Sequence, residues 1–168
     1  PVKRASDVIK IFYKIQQKLP AKLLLVGEGP DREMIENMAK DLGIFESVLF
    51  LGNSHEVNKL LCYSDLFLLP SQTESFGLAA LEAMAARTPV ISTNSGGLPE
   101  VNVQGVTGFL SDVGDTEDMA KNGIYILEDI DRLAQFKQSA QEQAQKFSLE
   151  NVLPSYKDIY REALGNGL

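Results

Sequence analysis

Lys22-Leu23-Leu24-Leu25-Val26 is a short, nearly continuous apolar run that stops at Gly27-Glu28-Gly29-Pro30. A run of this length without polar alternation reads as a strand buried on both faces, the habit of strands in parallel sheets. Parallel strands need long crossovers, usually helices, and the flanking sequence supplies them. Ser6 opens a helical pattern over residues 6–19, with Val8, Ile11, Phe12 and Ile15 on one face, and Pro20 stops it. Asp31 caps a helix over residues 31–42, which Gly43 ends. Further strands are expected over residues 47–51, 65–69, 89–92 and 108–110. Helices are expected over residues 54–64 and 76–87, with one turn over 98–102. Three helices then follow in series, over residues 115–127, 130–146 and 148–164. The alternation predicts an α/β fold with a Rossmann-like, doubly wound, mainly parallel sheet, and the run of terminal helices departs from simple alternation.

The 168 residues fit one domain with a sizeable core, residues 1–168 forming a single unit. The charge is -7, which excludes a general binder of phosphate backbones, so no nucleic acid partner is expected. Cys62 is the sole cysteine, so neither an intrachain disulfide nor a cysteine-rich metal site can form. No apolar run nears the ~20 residues of a membrane span, and no signal-peptide pattern opens the chain. A cytoplasmic domain that binds an anionic small molecule locally is the expectation. The chain opens on Pro1 and leads at once into a helix, as a piece of a longer protein would.

The chemistry is expected where the third strand hands over to its helix, in Pro70-Ser71-Gln72-Thr73-Glu74-Ser75-Phe76-Gly77-Leu78-Ala79-Ala80-Leu81-Glu82. Ligands of open α/β sheets bind outside the carboxyl ends of the strands. A helix start near Phe76 offers unpaired N–H groups and a positive dipole end to a phosphate, and Gly77 lets a ligand approach the backbone. Glu74 and Glu82 stand eight residues apart, roughly 12 Å along a helix axis at ~1.5 Å per residue. A nucleotide diphosphate sugar can put its sugar at one carboxylate and its ribose at the other, each offering vicinal hydroxyls. Leu78, Leu81 and Ala85 share an arc with Glu82 beside them, so Glu82 has a second reading at the rim of the core, paired with Arg87 or another cation.

The E-x7-E of Glu74 and Glu82, with Phe76-Gly77 between, Gly27-Glu28-Gly29-Pro30 upstream and Gly96-Gly97-Leu98-Pro99-Glu100 downstream, resembles the retaining glycosyltransferases of family 4. Specifically, it resembles their C-terminal, donor-binding domain, one half of the two-domain GT-B architecture. The resemblance covers essentially the whole chain. A narrower likeness, carried by Pro1-Val2-Lys3-Arg4, Lys22 to Pro30, Val48-Leu49-Phe50-Leu51-Gly52 and Glu74 to Leu78, is to the bacillithiol-pathway branch that transfers N-acetylglucosamine from the UDP-sugar to L-malate.

The resemblance implies a UDP-sugar donor, UDP-GlcNAc favoured, and roles residue by residue. Glu82 would hold the ribose hydroxyls and Glu74 the donor sugar. Phe76, Gly77 and Leu78 would offer backbone N–H groups to the diphosphate and sugar. Lys3 matches a lysine that contacts the diphosphate, the loop around Leu51 would meet the uracil, and Gly27 and Gly29 would shape a turn facing the cleft. No cofactor or metal is implied. An N-terminal acceptor domain is the expected partner, an oligomer is possible, and this chain alone is expected to be inactive. The family's first strand of this domain would precede Pro1, at the centre of the sheet, as would a further basic residue. Other acceptors, such as a polysaccharide or lipid-linked sugar, a non-catalytic binding module and an epimerase of the same fold remain alternatives.

The other chemistry-bearing residues have plainer readings. His55 is expected at the surface or capping a short helix, and Cys62, Phe12, Phe50, Phe67 and Tyr63 in the core. Asp129-Ile130-Asp131 matches the D-x-D of metal-dependent transferases but lies between two helices, so Asp129 is expected as a helix cap. Gly96-Gly97 reads either as a plain turn or as a backbone anion site. Tyr156 and Tyr160 sit at helical spacing on the last helix, with core packing and packing toward the other domain both open.

Overall fold

The computed structural model describes residues 2–165. The order is α1 (Ala5–Gln16), β1 (Leu23–Val26), α2 (Arg32–Asp41), a 3-10 turn (Phe45–Ser47), β2 (Val48–Gly52), α3 (Val57–Tyr63), β3 (Phe67–Leu69) and α4 (Leu78–Ala85). Then come β4 (Val90–Thr93), α5 (Leu98–Val101), β5 (Gly108–Ser111), α6 (Thr116–Leu127), α7 (Ile130–Lys146) and α8 (Leu149–Gly165). Every strand pairing is parallel: β1 with β2, and β3 with β4 with β5. The strands form two sheets, β1-β2 and β3-β4-β5.

Alternation along the strands sends side chains to opposite faces. Leu69 and Val90 enter one core with Ala80, Ala83 and Met84 of α4 and Ala140 of α7. Ile91 enters a second with Ile11 and Ile15 of α1 and Met119 and Ile126 of α6. The three-stranded sheet is therefore covered on both faces, which is what doubly wound means physically. Helix α7 turns the corner: its Leu133 and Phe136 belong to the second core and its Ala140 to the first. A third core joins Ile9 and Phe12 of α1 to Ile35 and Ala39 of α2, with Leu23, Leu25 and Val48 of the two-stranded sheet. Helix α1 thus packs on both sheets, because Ile9 and Phe12 face one and Ile11 and Ile15 the other.

Several local expectations are corrected. Helix α1 starts at Ala5, one residue before Ser6, after Arg4 in a left-handed conformation with φ of 49°, and ends at Gln16. Asp7, buried near its start, takes the Arg4 guanidinium at 2.6 Å and Lys10 at 3.3 Å. Asp31 precedes α2 but makes no side-chain cap, its φ being already helical at -85°. Helix α4 begins at Leu78 rather than Phe76, and β3 at Phe67 rather than Asp65. Cys62 and Tyr63 are exposed, because α3 buries only Leu61 of its seven residues. Phe12 is buried as expected, while Phe50 and Phe67 are half-buried against the third and first cores. Tyr156 and Tyr160 are both exposed. Asp129 does cap α7, accepting the N–H groups of Asp131 and Arg132 at 3.0 and 2.9 Å. Among the described residues no helix is long and apolar enough to cross a membrane.

Candidate functional site

The loop after β3 runs from Pro70 to Gly77 and is held from both sides. The N–H of Gln72 donates to the carbonyl of Val2 at 2.8 Å, which brings the start of the chain against the end of β3. Thr93 Oγ1 donates to Ser71 O at 2.7 Å, and Ser95 Oγ to Gln72 O at 2.8 Å. The Gly97 N–H donates to Glu74 O at 3.0 Å. These contacts place Lys3 and Glu74 side by side: Nζ lies 2.8 Å from Oε2, with the Lys3 side chain 65% exposed and that of Glu74 16%. The other carboxylate oxygen of Glu74 has no partner among the described residues, and Nζ keeps further donors for an anion.

Gly96 and Gly97 are required by this packing. A Cβ on Gly96 would lie 1.9 Å from Glu74 O, and one on Gly97 2.6 Å from Ser75 O. The pair has a steric reason to be glycine, which the turn and anion-site readings did not include. Gly77 precedes α4 at φ of 90°, a left-handed conformation that glycine adopts without steric cost. No side chain caps α4, and Leu81 N–H is the first to reach a carbonyl from the helix start, that of Gly77 at 3.1 Å. The N–H groups of Leu78, Ala79 and Ala80 therefore have no acceptor within the helix. With the dipole of α4, they make a positive helix end four residues after Glu74, the partner of Lys3.

The buried face of α4 is Ala80, Ala83 and Met84, packed on α7. Small alanines allow the close approach, so they, and not the larger Leu78, turn inward. Leu78, Glu82 and Ala85, at i, i+4 and i+7, are all exposed. The expected apolar arc of Leu78, Leu81 and Ala85 is corrected accordingly, and only Leu81 of the three packs against the core. Glu82 makes no pair with Arg87 or any other cation among the described residues. Its carboxylate faces solvent, five residues beyond Gly77. Phe76 is half-exposed and meets Phe147 edge-on, centroids 6.0 Å apart, which ties the loop to the end of α7.

Gly27, Gly29 and Leu51 form a second group at the carboxyl ends of β1 and β2. Gly27 N–H donates to Gly52 O at 2.7 Å, joining the two strand ends. Gly27 and Gly29 each have open space where a Cβ would point, and Leu51 is exposed. Glu28 of the same turn pairs with Arg32 at 3.2 Å. Glu74, Phe76 and Gly77 lie in the loop beyond the carboxyl end of β3, Gly27, Gly29 and Leu51 at the ends of β1 and β2, Lys3 ahead of α1, and Leu78 and Glu82 on α4.

A family model described as "Glycosyl transferases group 1" matches residues 1–143. The chain belongs to the group 1 glycosyl transferases. It is 44% identical over 164 residues to the N-acetyl-alpha-D-glucosaminyl L-malate synthase of Bacillus anthracis, covering 97% of this chain and 43% of that protein. It is 34% identical over 160 residues to the 2-deoxystreptamine N-acetyl-D-glucosaminyltransferase of Niallia circulans, covering 92% of this chain and 41% of that protein. Among solved structures, Anabaena Alr3699/HepE in complex with UDP superposes with a TM-score of 0.85 at 26% identity, over 96% of this chain and 46% of that one. This group 1 glycosyl transferase chain therefore spans less than half the length of each of these relatives. Its fold is that of one half of a GT-B enzyme, in agreement with the sequence reading.

Three features of the site were not read from the sequence of this group 1 glycosyl transferase: the Val2–Gln72 hydrogen bond, the Ser95 and Thr93 braces, and the Arg4–Asp7 pair. Arg4 is turned into the fold and Lys3 toward Glu74. Arg4 pairs with the carboxylate of Asp7 three residues on, whereas Lys3 meets that of Glu74, remote in sequence.

Proposed function

We propose that this chain is the donor-binding domain of a retaining glycosyltransferase that moves N-acetylglucosamine from UDP-GlcNAc to L-malate. The observation that carries the reading is the Lys3–Glu74 pair, 2.8 Å apart, four residues ahead of an α4 whose start has no side-chain cap. The names of the Bacillus and Niallia relatives share N-acetylglucosaminyl transfer and differ in acceptor. They favour the donor sugar independently of the acceptor, and malate follows from the higher identity.

In this reading Glu82 accepts the ribose hydroxyls, and the carboxylate of Glu74 accepts hydroxyls of the sugar. The Lys3 ammonium and the N–H groups of Phe76, Gly77 and Leu78 receive the diphosphate. Leu51, Gly27 and Gly29 line the far side, with Leu51 against the uracil. Cleavage of the bond from the sugar C1 to the diphosphate oxygen puts charge on the leaving group. Lys3 and the helix end lie where that charge develops, so they favour the transition state over the ground state. The acceptor oxygen forms the new bond to C1 on the face the diphosphate leaves, and its proton passes to a diphosphate oxygen. A second Rossmann-like domain outside this chain supplies the acceptor, which makes the chain alone inactive, and the reaction is placed in the cytoplasm.

Titration calorimetry with UDP, UDP-GlcNAc and GDP-mannose tests the donor. Binding of the two uridine ligands and none of GDP-mannose is expected. A preference for GDP-mannose would move the protein to another donor class. UDP release by the full-length protein from UDP-GlcNAc with malate, and not without it, is the corresponding test of the acceptor.

A further inference from the structure

We infer that the Arg4–Asp7 ion pair positions Lys3: it holds the backbone turn that sends the Lys3 ammonium to Glu74, and its effect on the donor rests on the reading of Lys3 as a diphosphate contact. An exposed ion pair contributes little by itself, and the Lys3 side chain is 65% exposed. Its contact with Glu74 therefore needs a backbone that already points the right way. That backbone is held at both ends. Val2 O accepts the Gln72 N–H at 2.8 Å on one side, and Arg4 O accepts the Asp7 N–H at 2.9 Å on the other.

Arg4 is the unusual element. It stands at the N-cap position of α1, where extended backbone is the norm, yet its φ and ψ are both 49°. Among the described residues other than glycine, only Arg87 shares a positive φ. Arg87 lies just past the end of α4, where helices commonly finish on a left-handed residue. Arg4 has no such excuse, and its side chain does not cap α1. A left-handed arginine is costly and persists where its surroundings over-determine it.

The surroundings of Arg4 do so. Its Nε lies 2.6 Å from Asp7 Oδ2, and the Asp7 side chain is buried, so that carboxylate needs a cation. Lys10 reaches the other oxygen at 3.3 Å from a half-exposed side chain. The guanidinium also fills the space over Gly114, where a Cβ would lie 3.1 Å from Nη2. The turn thus separates two adjacent cations. Asp7 and Gly114 take Arg4 into the fold, and Lys3 is left directed at Glu74. Arg4 and Asp7 act on the site only through Lys3.

The test replaces Arg4 with Met and Asp7 with Leu together in the full-length protein. This leaves the net charge unchanged and no buried charge unpaired, an exchange that folds commonly tolerate. NMR of labelled lysine reads the Lys3 Hε–Cε signal without nucleotide, and Glu74→Gln marks where that signal falls once Lys3 has lost its partner. The double variant is expected to show the Glu74→Gln position, and Asp7→Asn, of the same shape as aspartate, to move the signal the same way by less. A signal at the wild-type position in both overturns the inference. UDP titrations read the consequence. Lys3→Ala is expected to weaken UDP about tenfold in the wild-type background and less than about threefold in the double variant. Glu82→Ala, whose contact does not pass through Lys3, is expected to cost the same in both backgrounds. Equal erosion of the Lys3 and Glu82 effects would show general loosening and overturn the inference. The salt dependence of UDP binding should shrink in the double variant although its net charge is that of the wild type. If Lys3→Ala leaves UDP binding unchanged in the wild-type background while the Lys3 signal moves in the double variant, the diphosphate role of Lys3 falls and its positioning at Glu74 stands.

Discussion

Lys3 Nζ sits 2.8 Å from Glu74 Oε2 although 71 residues separate the two in sequence. The contact depends on neither residue's local structure alone. It follows from Val2 O receiving Gln72 N–H, and from Gly97 N–H holding Glu74 O on the other side. The pair is thus a readout of whether the loop after β3 is built, and it joins the group read as phosphate-binding to the group read as sugar-binding.

Replacing Glu74 with alanine is expected to weaken UDP-GlcNAc more than UDP, because its unpartnered oxygen is assigned to the sugar. Calorimetry with both ligands checks this. Equal losses would remove Glu74 from the sugar and leave it as a support for Lys3.

Glu82→Ala is expected to weaken UDP and UDP-GlcNAc alike, by about 1–3 kcal/mol for lost hydrogen bonds to a charged group. Its carboxylate is exposed and makes no ion pair among the described residues, so thermal stability should stay within about 0.5 kcal/mol. A large drop in Tm would show a structural role.

For Lys3→Ala the two effects separate in the opposite way. The exposed pair contributes only about 0–1 kcal/mol to stability. UDP binding should fall more steeply, and the salt dependence of binding should shrink with the lost cation. Titrations at two ionic strengths read both.

Gly96→Ala should damage the site from behind. The new Cβ would fall 1.9 Å from Glu74 O at a backbone φ of 61°, and forced overpacking of this kind costs about 1–3 kcal/mol. A lower Tm together with weaker UDP-GlcNAc binding is the expected pairing. Wild-type stability in this variant would mean that the two loops do not touch in solution.

Acid should loosen the start of α7. The Arg132 N–H holds the Asp129 carboxylate below its ordinary 3.8, against a smaller opposing effect of desolvation, helped by the Asp131 N–H and the Arg132 charge. A depressed carboxylate contributes stability above the unfolded value, and that stability is lost as pH falls from 3.8 through the folded value. NMR shifts of Asp131 and Arg132 should track this change, and Asp129→Asn, which keeps a cap without the charge, should abolish it.

The strand–helix order, the parallel pairing and the E-x7-E at the start of α4 were legible in the sequence, because apolar runs ended by Gly or Pro and helical periodicity are local signals. Asp129 as a cap was legible for the same reason: its partners are two and three residues away. What only the tertiary structure decided is anything set by a distant neighbour. Cys62 and Tyr63 look like core residues by type, but α3 buries little besides Leu61. The inner face of α4 was assigned to its leucines, and the alanines took it because α7 packs there with Ala140 and Ala144. Gly96 reads as a turn residue until Glu74 O is found in the space of its missing side chain. Periodicity tells which residues can share a face; which face is inward, and which cation meets which carboxylate, depends on the element that packs against it, and that element comes from elsewhere in the chain.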